Sequence, residues 1–262
     1  KARREGVRFG DGQTHLGPDG KAALGLQFRM LPGWKVYWRS PGDAGVPPRI
    51  NWTGSKNFKD GTVHWPLPAR YSLFGLTTFV YSNDVILPID FRAHDANSPA
   101  VLRAKVSYLI CEKVCIPYDA TLSLVLPSAK VSPGATPHRD DLARYRARVP
   151  KIANAQNSSS MAFSIKGASI ITSKKDTQKT SVLEFLAANR TRFSDPLVLV
   201  EGPPSLRFGT PGVSFSNDRK TALVRVPIFA AGGNFPKAPV LTLTLGDQGN
   251  AVEQTVSPPM RS

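Results

Sequence analysis

The stretch that decides the fold reads VLRAKVSYLI at residues 101–110, CEKVC at 111–115 and IPYDATLSLVL at 116–126. Apolar and polar side chains alternate on both sides of the segment bounded by cysteines. A repeat of two residues is the signature of a half-buried β-strand. Three residues separate the two runs, a common connection in a β-hairpin. The stretch therefore predicts two long antiparallel strands that meet at Cys111 and Cys115.

The phase of the alternation predicts which side chains of this hairpin are buried. Leu102, Val106 and Ile110 share the apolar phase of the first strand, and Cys111 falls in the opposite phase. Cys115 falls in the polar phase of the second strand. Successive side chains of a strand point to opposite faces. We therefore expect both cysteines to leave the core at the end of the hairpin, close to the surface.

Short alternating or β-branched runs, separated by turn-forming pairs, occupy most of the remaining chain. Further strands are predicted at residues 23–30, 35–39, 49–53, 77–81, 85–91, 162–172, 180–188, 197–201, 205–208, 213–216, 221–229, 240–245 and 251–256. Many short strands with frequent turns are typical of antiparallel sandwiches. The predicted class is all-β, with two antiparallel β-sandwich domains.

A change of composition marks the boundary between these domains. Residues 127–137 are rich in Ser, Pro, Gly and Ala, which is typical of a linker. Thr136 followed by Pro137 resembles the start of a helix, and Pro150 would stop it, so a short helix is predicted at about residues 137–149. We expect a first domain at 1–130, a linker with the helix at 131–155 and a second domain at 156–262.

Composition and charge exclude several classes of protein. The chain has 262 residues and a formal net charge of +15, without a run of five like charges. A spread-out excess favours a solvated basic surface over a dedicated polyanion site, so nucleic acid is not an expected partner. No apolar run approaches the roughly 18 residues of a membrane span. No phosphate loop or hydrolase triad is indicated by spacing.

The cysteine pair is the main chemical signal in the sequence. Facing residues on antiparallel strands have Cα atoms about 4.5–5.5 Å apart, within the roughly 4.4–6.8 Å that a disulfide accepts. A closed loop of about five residues would contribute only roughly 2 kcal/mol of stability. An exposed disulfide is also open to attack by another thiolate. The pattern favours redox exchange, with a structural disulfide and metal binding as alternatives.

Metal binding is the weaker alternative, because two thiols are too few for structural zinc and the four histidines lack ligand spacing. Cu(I) held by two thiolates stays open, because soft ligands suit that ion. No cofactor is expected. Lys113 would lower the pKa of a neighbouring thiol and Glu112 would raise it, so we expect thiols that resemble free cysteine.

Several further motifs resemble one protein family. The motif LPGWKVYWRSPGDAGVPP at residues 31–48 resembles the opening motif of DsbD-like N-terminal periplasmic domains, especially the ScsB (suppressor of copper sensitivity protein B) branch. Phe74-Gly75, Tyr81, the run LPI at 87–89 and CIPY at 115–118 follow in the same order. The resemblance covers about residues 20–127, and beyond residue 150 it rests mainly on a second sandwich.

The resemblance implies an immunoglobulin-like fold in the bacterial periplasm, reached after removal of a signal peptide. It implies thiol–disulfide oxidoreductase activity. The cysteine pair would accept electrons from a membrane-embedded reductant-transport domain and pass them to thioredoxin-like periplasmic proteins. Carried over by position, Cys115 would form the mixed disulfide with the partner and Cys111 would resolve it.

The resemblance also implies a cap that shields the disulfide. Leu73, Phe74 and Gly75 occupy the matching stretch, and Tyr37 matches an aromatic residue of that site. The Cys-x3-Cys spacing is shorter than in the best-known DsbD domain, and residues 69–72 lack acidic counterparts. The alternative function is a non-catalytic binding module, for a protein or for Cu(I), with a passive disulfide.

Overall fold

A computed structural model describes residues 5–11, 15–73, 75–131, 136–154, 157, 160–172, 181–231 and 235–261. The chain separates into two compact units, Lys1–Val149 and Pro150–Ser262. In the described residues of each unit, two largely antiparallel sheets form a β-sandwich. The predicted all-β class, with two sandwiches and one short helix, is confirmed.

The first unit contains a four-stranded sheet and a six-stranded sheet among its described residues. The four-stranded sheet consists, in spatial order, of β1 (Glu5–Asp11), β2 (Lys21–Met30), β8 (Asp84–Arg92) and β5 (Asp60–Val63). The six-stranded sheet consists of β10 (Cys115–Leu126), β9 (Ala100–Cys111), β3 (Lys35–Gly42), β7 (Leu76–Ser82) and β6 (Ala69–Leu73), with β4 (Arg49–Asn51) also paired to β9.

The core of the first unit follows from the alternation in the sequence. Leu102 and Ile110 of β9 are fully buried, as are Leu24 and Phe28 of β2, because these apolar phases face each other between the sheets. Trp38 of β3 is also fully buried. The strands β1, β5 and β6 were not predicted, since short edge strands of mixed polarity carry a weak periodic signal.

The helix α1 (Arg139–Arg146) packs on the first unit. It begins after His138, two residues later than the predicted Thr136 cap. A Cβ added to Gly25 of β2 would lie 3.2 Å from Leu142, so the small glycine leaves room for the helix on the sheet. The Tyr145 hydroxyl donates to the Asp84 carbonyl at 2.7 Å. These contacts attach part of the expected linker to the first sandwich.

The second unit also has a four-stranded and a six-stranded sheet among its described residues. The four-stranded sheet consists of β11 (Lys151–Ile152), β19 (Asn250–Val256), β18 (Leu241–Asp247) and β14 (Leu197–Glu201). The six-stranded sheet consists of β15 (Leu206–Phe208), β17 (Thr221–Ala230), β13 (Ser181–Asn189), β12 (Phe163–Thr172) and β20 (Met260–Arg261), with β16 (Gly212–Phe215) paired to β17. Phe185 and Phe193 are among the buried side chains of its core.

Candidate functional site

The disulfide lies at the end of the long hairpin of the first unit. Strands β9 and β10 pair without a shift from Ala100 to Cys111, which places Cys111 directly opposite Cys115. The two cysteines form a disulfide, and their Cα atoms are 4.1 Å apart. The hairpin with a three-residue connection, predicted from the alternation alone, is therefore present.

The two sulfur-bearing residues differ in their access to solvent. Cys111 is only 7% exposed, whereas Cys115 is exposed. Cys111 lies in a small outer cluster with Tyr37 and Val80, against which Tyr71 and Leu109 pack. The expectation that both cysteines would lie close to the surface is wrong for Cys111. An attacking molecule meets Cys115 first.

Tyr37 covers Cys111 because their strands are neighbours in the six-stranded sheet. Strand β3 pairs with β9, with Lys35 opposite Cys111, and Tyr37 lies two residues further on the same face of β3. The Tyr37 hydroxyl donates a hydrogen bond to Cys111 Sγ at 3.1 Å and lies 3.8 Å from Cys115 Sγ. Burial, together with the neighbouring Tyr71, raises the pKa of Tyr37 above its ordinary value.

The loop at residues 43–48, between β3 and β4, lies against the ring of Tyr37. Gly45 has a φ of 112°, and a Cβ at this position would overlap the ring of Tyr37. Asp43 joins the loop to strand β7 through two hydrogen bonds. The Asp43 amide donates to the Thr77 carbonyl at 2.9 Å, and the Thr77 amide donates to Asp43 Oδ2 at 2.7 Å.

The family-like motif at residues 31–48 contains this loop, but neither Asp43 nor Gly45 was predicted as a site residue. The only signal was the run GDAG at residues 42–45 inside the family-like motif. A glycine-containing turn is common, and its pattern does not reveal which side chain it will touch.

Two charged side chains lie beside the cluster. The Lys35 ammonium donates to the Gly33 carbonyl at 2.7 Å and lies 4.1 Å from the centre of the Tyr71 ring. Glu112 also lies beside Gly33, because a Cβ added to Gly33 would be 3.3 Å from Glu112 Oε1. Lys113, in the exposed connection between the cysteines, is a further charged side chain near the disulfide.

The predicted cap residues lie at the hairpin between β6 and β7. Leu73 pairs with Leu76 through the backbone, and Gly75 between them has a φ of 79°, which favours glycine. Phe74 lies outside the described residues. Leu76 is 48% exposed. The role of Leu73, Phe74 and Gly75 as a cap stays a prediction.

Within the described ranges, no group of three or more His, Cys, Asp or Glu side chains is placed to hold a metal ion. None of the described helical segments has the length and apolar character needed to cross a membrane.

A β-sandwich with a disulfide between one exposed and one covered cysteine is suited to thiol–disulfide interchange, because a thiolate can reach the exposed sulfur. Residues 11–127 match the family described as "Thiol:disulfide interchange protein DsbD, N-terminal". This part of the chain is a DsbD-like N-terminal domain. Residues 148–259 match a domain family of unknown function.

The fold of the whole chain is similar to a solved structure. That solved structure is described as the crystal structure of the N-terminal periplasmic domain of ScsB from Proteus mirabilis. Its TM-score to this chain is 0.73, at 23% sequence identity. The match covers 98% of this chain and 94% of that one. The immunoglobulin-like fold implied by the motifs is thereby confirmed. No curated protein matches the chain.

Proposed function

We propose that this chain is a periplasmic electron relay. In this proposal the Cys111–Cys115 pair accepts electrons from a membrane-embedded reductant-transport domain and passes them to soluble thioredoxin-like proteins. The match of residues 11–127 to the DsbD N-terminal family supports the class of chemistry. The fold shared with the periplasmic domain of ScsB supports the location.

The observation that carries the proposal is the unequal exposure of the two cysteines. A partner thiolate must approach one sulfur of a disulfide and expel the other. Cys115 is exposed, and Cys111 is buried under Tyr37. The mixed disulfide therefore forms on Cys115, and Cys111 is the leaving group. This assignment agrees with the roles expected from the family resemblance.

The exchange balances as a two-electron transfer. A thiolate of the reductant attacks Cys115 Sγ, a sulfur–sulfur bond forms between them, and the Cys111–Cys115 bond breaks. The electron pair stays on Cys111, which becomes a thiolate and then takes a proton. The second thiolate of the reductant attacks its own first sulfur and releases Cys115. The reductant ends as a disulfide and the cysteine pair as two thiols. The reverse sequence reduces a thioredoxin-like partner.

Exposed apolar side chains on the first unit support docking of a protein rather than a small molecule. Val114, between the cysteines, is 62% exposed, Leu76 of the β6–β7 hairpin is 48% exposed, and Val46 of the 43–48 loop is 45% exposed. Apolar side chains in the centre of an interface supply much of its binding energy.

A trapping experiment tests the proposal. The Cys111→Ser variant keeps the exposed thiol but lacks the resolving sulfur, so it should accumulate a covalent complex with an oxidised thioredoxin-like protein. Non-reducing electrophoresis and peptide mapping should place the linkage on Cys115. The matched Cys115→Ser variant should trap at least tenfold less complex, because Cys111 is covered.

Two results would contradict the proposal. Equal trapping by both variants would show that the exposure difference does not direct the attack. The absence of a complex with every thioredoxin-like protein tried, at concentrations where glutathione reacts with Cys115, would leave a binding module with a passive disulfide.

A further inference from the structure

The Tyr37 hydroxyl is a buried polar group whose hydrogen-bond partners, among the described residues, are the two sulfur atoms. Tyr37 is 7% exposed, and its hydroxyl donates to Cys111 Sγ at 3.1 Å. A buried hydroxyl needs a partner, because an unsatisfied polar group loses its hydrogen bonds to water. In the oxidised protein the acceptor is a disulfide sulfur, which is a weak acceptor.

The acceptor becomes much stronger during exchange. When a thiolate attacks Cys115, the electron pair of the broken bond stays on Cys111, and the neutral sulfur 3.1 Å from the hydroxyl becomes a thiolate. A hydrogen bond to a charged group is roughly twice as strong as one between neutral groups. The same hydroxyl is therefore a weak partner before the reaction and a strong partner as the bond breaks, which is the requirement for catalysis.

We propose that Tyr37 is a catalytic residue that donates a hydrogen bond to the departing Cys111 thiolate, and that the 43–48 loop holds its ring in place. The proposal rests on the exchange function proposed above. It adds a hydrogen-bond donor to the disulfide site. The donor is Tyr37 of β3, which is 74 residues from Cys111 in sequence. Because the pKa of Tyr37 is raised by burial and by Tyr71, the hydroxyl remains protonated near neutral pH.

The 43–48 loop lies against the Tyr37 ring and restricts its position. Gly45 approaches the ring so closely that a Cβ would overlap it, and the φ of 112° also favours glycine. The paired hydrogen bonds of Asp43 and Thr77 tie the loop to β7. Among the nearby charged side chains, Lys35 donates to the Gly33 carbonyl and Glu112 lies beside Gly33, while Lys113 is exposed in the connection between the cysteines. The Tyr37 hydroxyl, in contrast, donates to Cys111 Sγ.

The first test measures the Cys111 thiolate directly in a Cys115→Ser background. Adding Tyr37→Phe removes one hydroxyl and keeps the ring. The thiolate fraction of Cys111 at a fixed pH on the rising part of the titration, followed by ultraviolet thiolate absorbance, should fall about tenfold, in line with one lost hydrogen bond to a charged group. A thermal melt checks that the variant is folded.

The second test measures the rate in the chain with both cysteines. Reduction of the disulfide by glutathione, with the mixed disulfide mapped to Cys115, should slow several-fold in Tyr37→Phe, because a leaving thiol of higher pKa leaves more slowly. Tyr118→Phe is the matched control. Tyr118→Phe removes a hydroxyl from the β9–β10 hairpin that carries the disulfide, where Tyr118 stacks on Tyr108. It should leave both measurements unchanged.

A third variant separates the hydrogen bond from general packing. Gly45→Ala keeps the hydroxyl but displaces the ring, so it should reproduce the slower reduction. A thiolate fraction and a rate within twofold of the parent protein in Tyr37→Phe would overturn the proposal, leaving Tyr37 as a packing residue. Since glutathione replaces the protein partner in these assays, a failed trapping experiment would refute the relay and leave this result standing.

Discussion

The two units of the chain have similar architecture and different surfaces. Each has a four-stranded and a six-stranded sheet among its described residues. On the six-stranded sheet of the first unit, Cys111 lies opposite Cys115. On that of the second unit, Glu184 lies opposite Arg225, and these side chains form an ion pair at 2.8 Å. Both cysteines of the sequence are in the first unit.

The comparison shows that the sandwich itself does not supply the chemistry. In both units the inward-facing side chains of the strands form an apolar core, and the two cores consist of similar types of residue. The outward phase of the first unit carries Cys111, Tyr37 and Val80, and these residues form the small outer cluster that contains one sulfur of the disulfide. Function depends on side chains placed on a fold that many proteins share.

The largest expected effect is a loss of stability in the second unit, and it tests whether the two units are independent. Phe185 is 1% exposed in the core of the second unit, and Phe185→Ala should cost about 3–5 kcal/mol of unfolding free energy. If the units are independent, glutathione should still reduce the disulfide at the parent rate. Denaturant unfolding, followed together with the rate of disulfide reduction, measures both quantities. A matching loss in rate under conditions where the first unit is folded would show that the units depend on each other.

Removal of the disulfide should have a smaller effect on stability, confined to the first unit. Replacing Cys111 and Cys115 with serine opens a loop with a sequence separation of 4, and should cost about 2 kcal/mol or less. Calorimetry of the double variant measures the shift. A loss twice as large would mean that the disulfide mainly stabilises the first unit. The disulfide and the ion pair of the second unit would then have the same structural role.

The ion pair of the second unit should contribute less again. The side chains of Glu184 and Arg225 are 25% and 58% exposed, and exposed pairs typically contribute about 0.2–1 kcal/mol. A double-mutant cycle with Glu184→Gln and Arg225→Gln isolates the coupling energy. A coupling energy well above that range would mean that this ion pair stabilises the second unit about as much as the disulfide stabilises the first.

The smallest effect depends on pH and concerns the helix of the first unit. Burial acts to raise the pKa of Asp90, but hydrogen bonds from Arg146 of α1 and from His64 outweigh it, so the pKa is lowered. A carboxyl with a lowered folded pKa contributes stability above its unfolded pKa of about 3.9, and this contribution is lost as the pH falls through the folded pKa.

Asp90→Asn should therefore cost less than about 1 kcal/mol at neutral pH, because the side chain of Asp90 is 53% exposed. The difference from the parent protein should disappear in acid. Unfolding curves measured at several pH values check the trend. A difference that grows in acid would contradict the sign.

The sequence predicted much of this arrangement and missed a defined part of it. The alternation in residues 101–126 predicted the hairpin and placed the two cysteines opposite each other, because strand phase and hairpin register are local properties. The alternation did not predict the covering of Cys111, and only the family resemblance pointed to Tyr37 as a residue of this site. The covering depends on the pairing of β3 with β9, which lie far apart in the chain.

Residue types and their spacing alone thus determined the all-β class, the long hairpin and the facing thiols. The tertiary structure decided which sulfur is covered, which hydroxyl reaches it and which loop lies against that ring. Tyr37, Gly45 and Thr77 come together only when sheet pairing and a loop of left-handed backbone are complete. Local periodicity records the face of a strand, whereas its neighbour in the sheet is set by the packing of the whole unit.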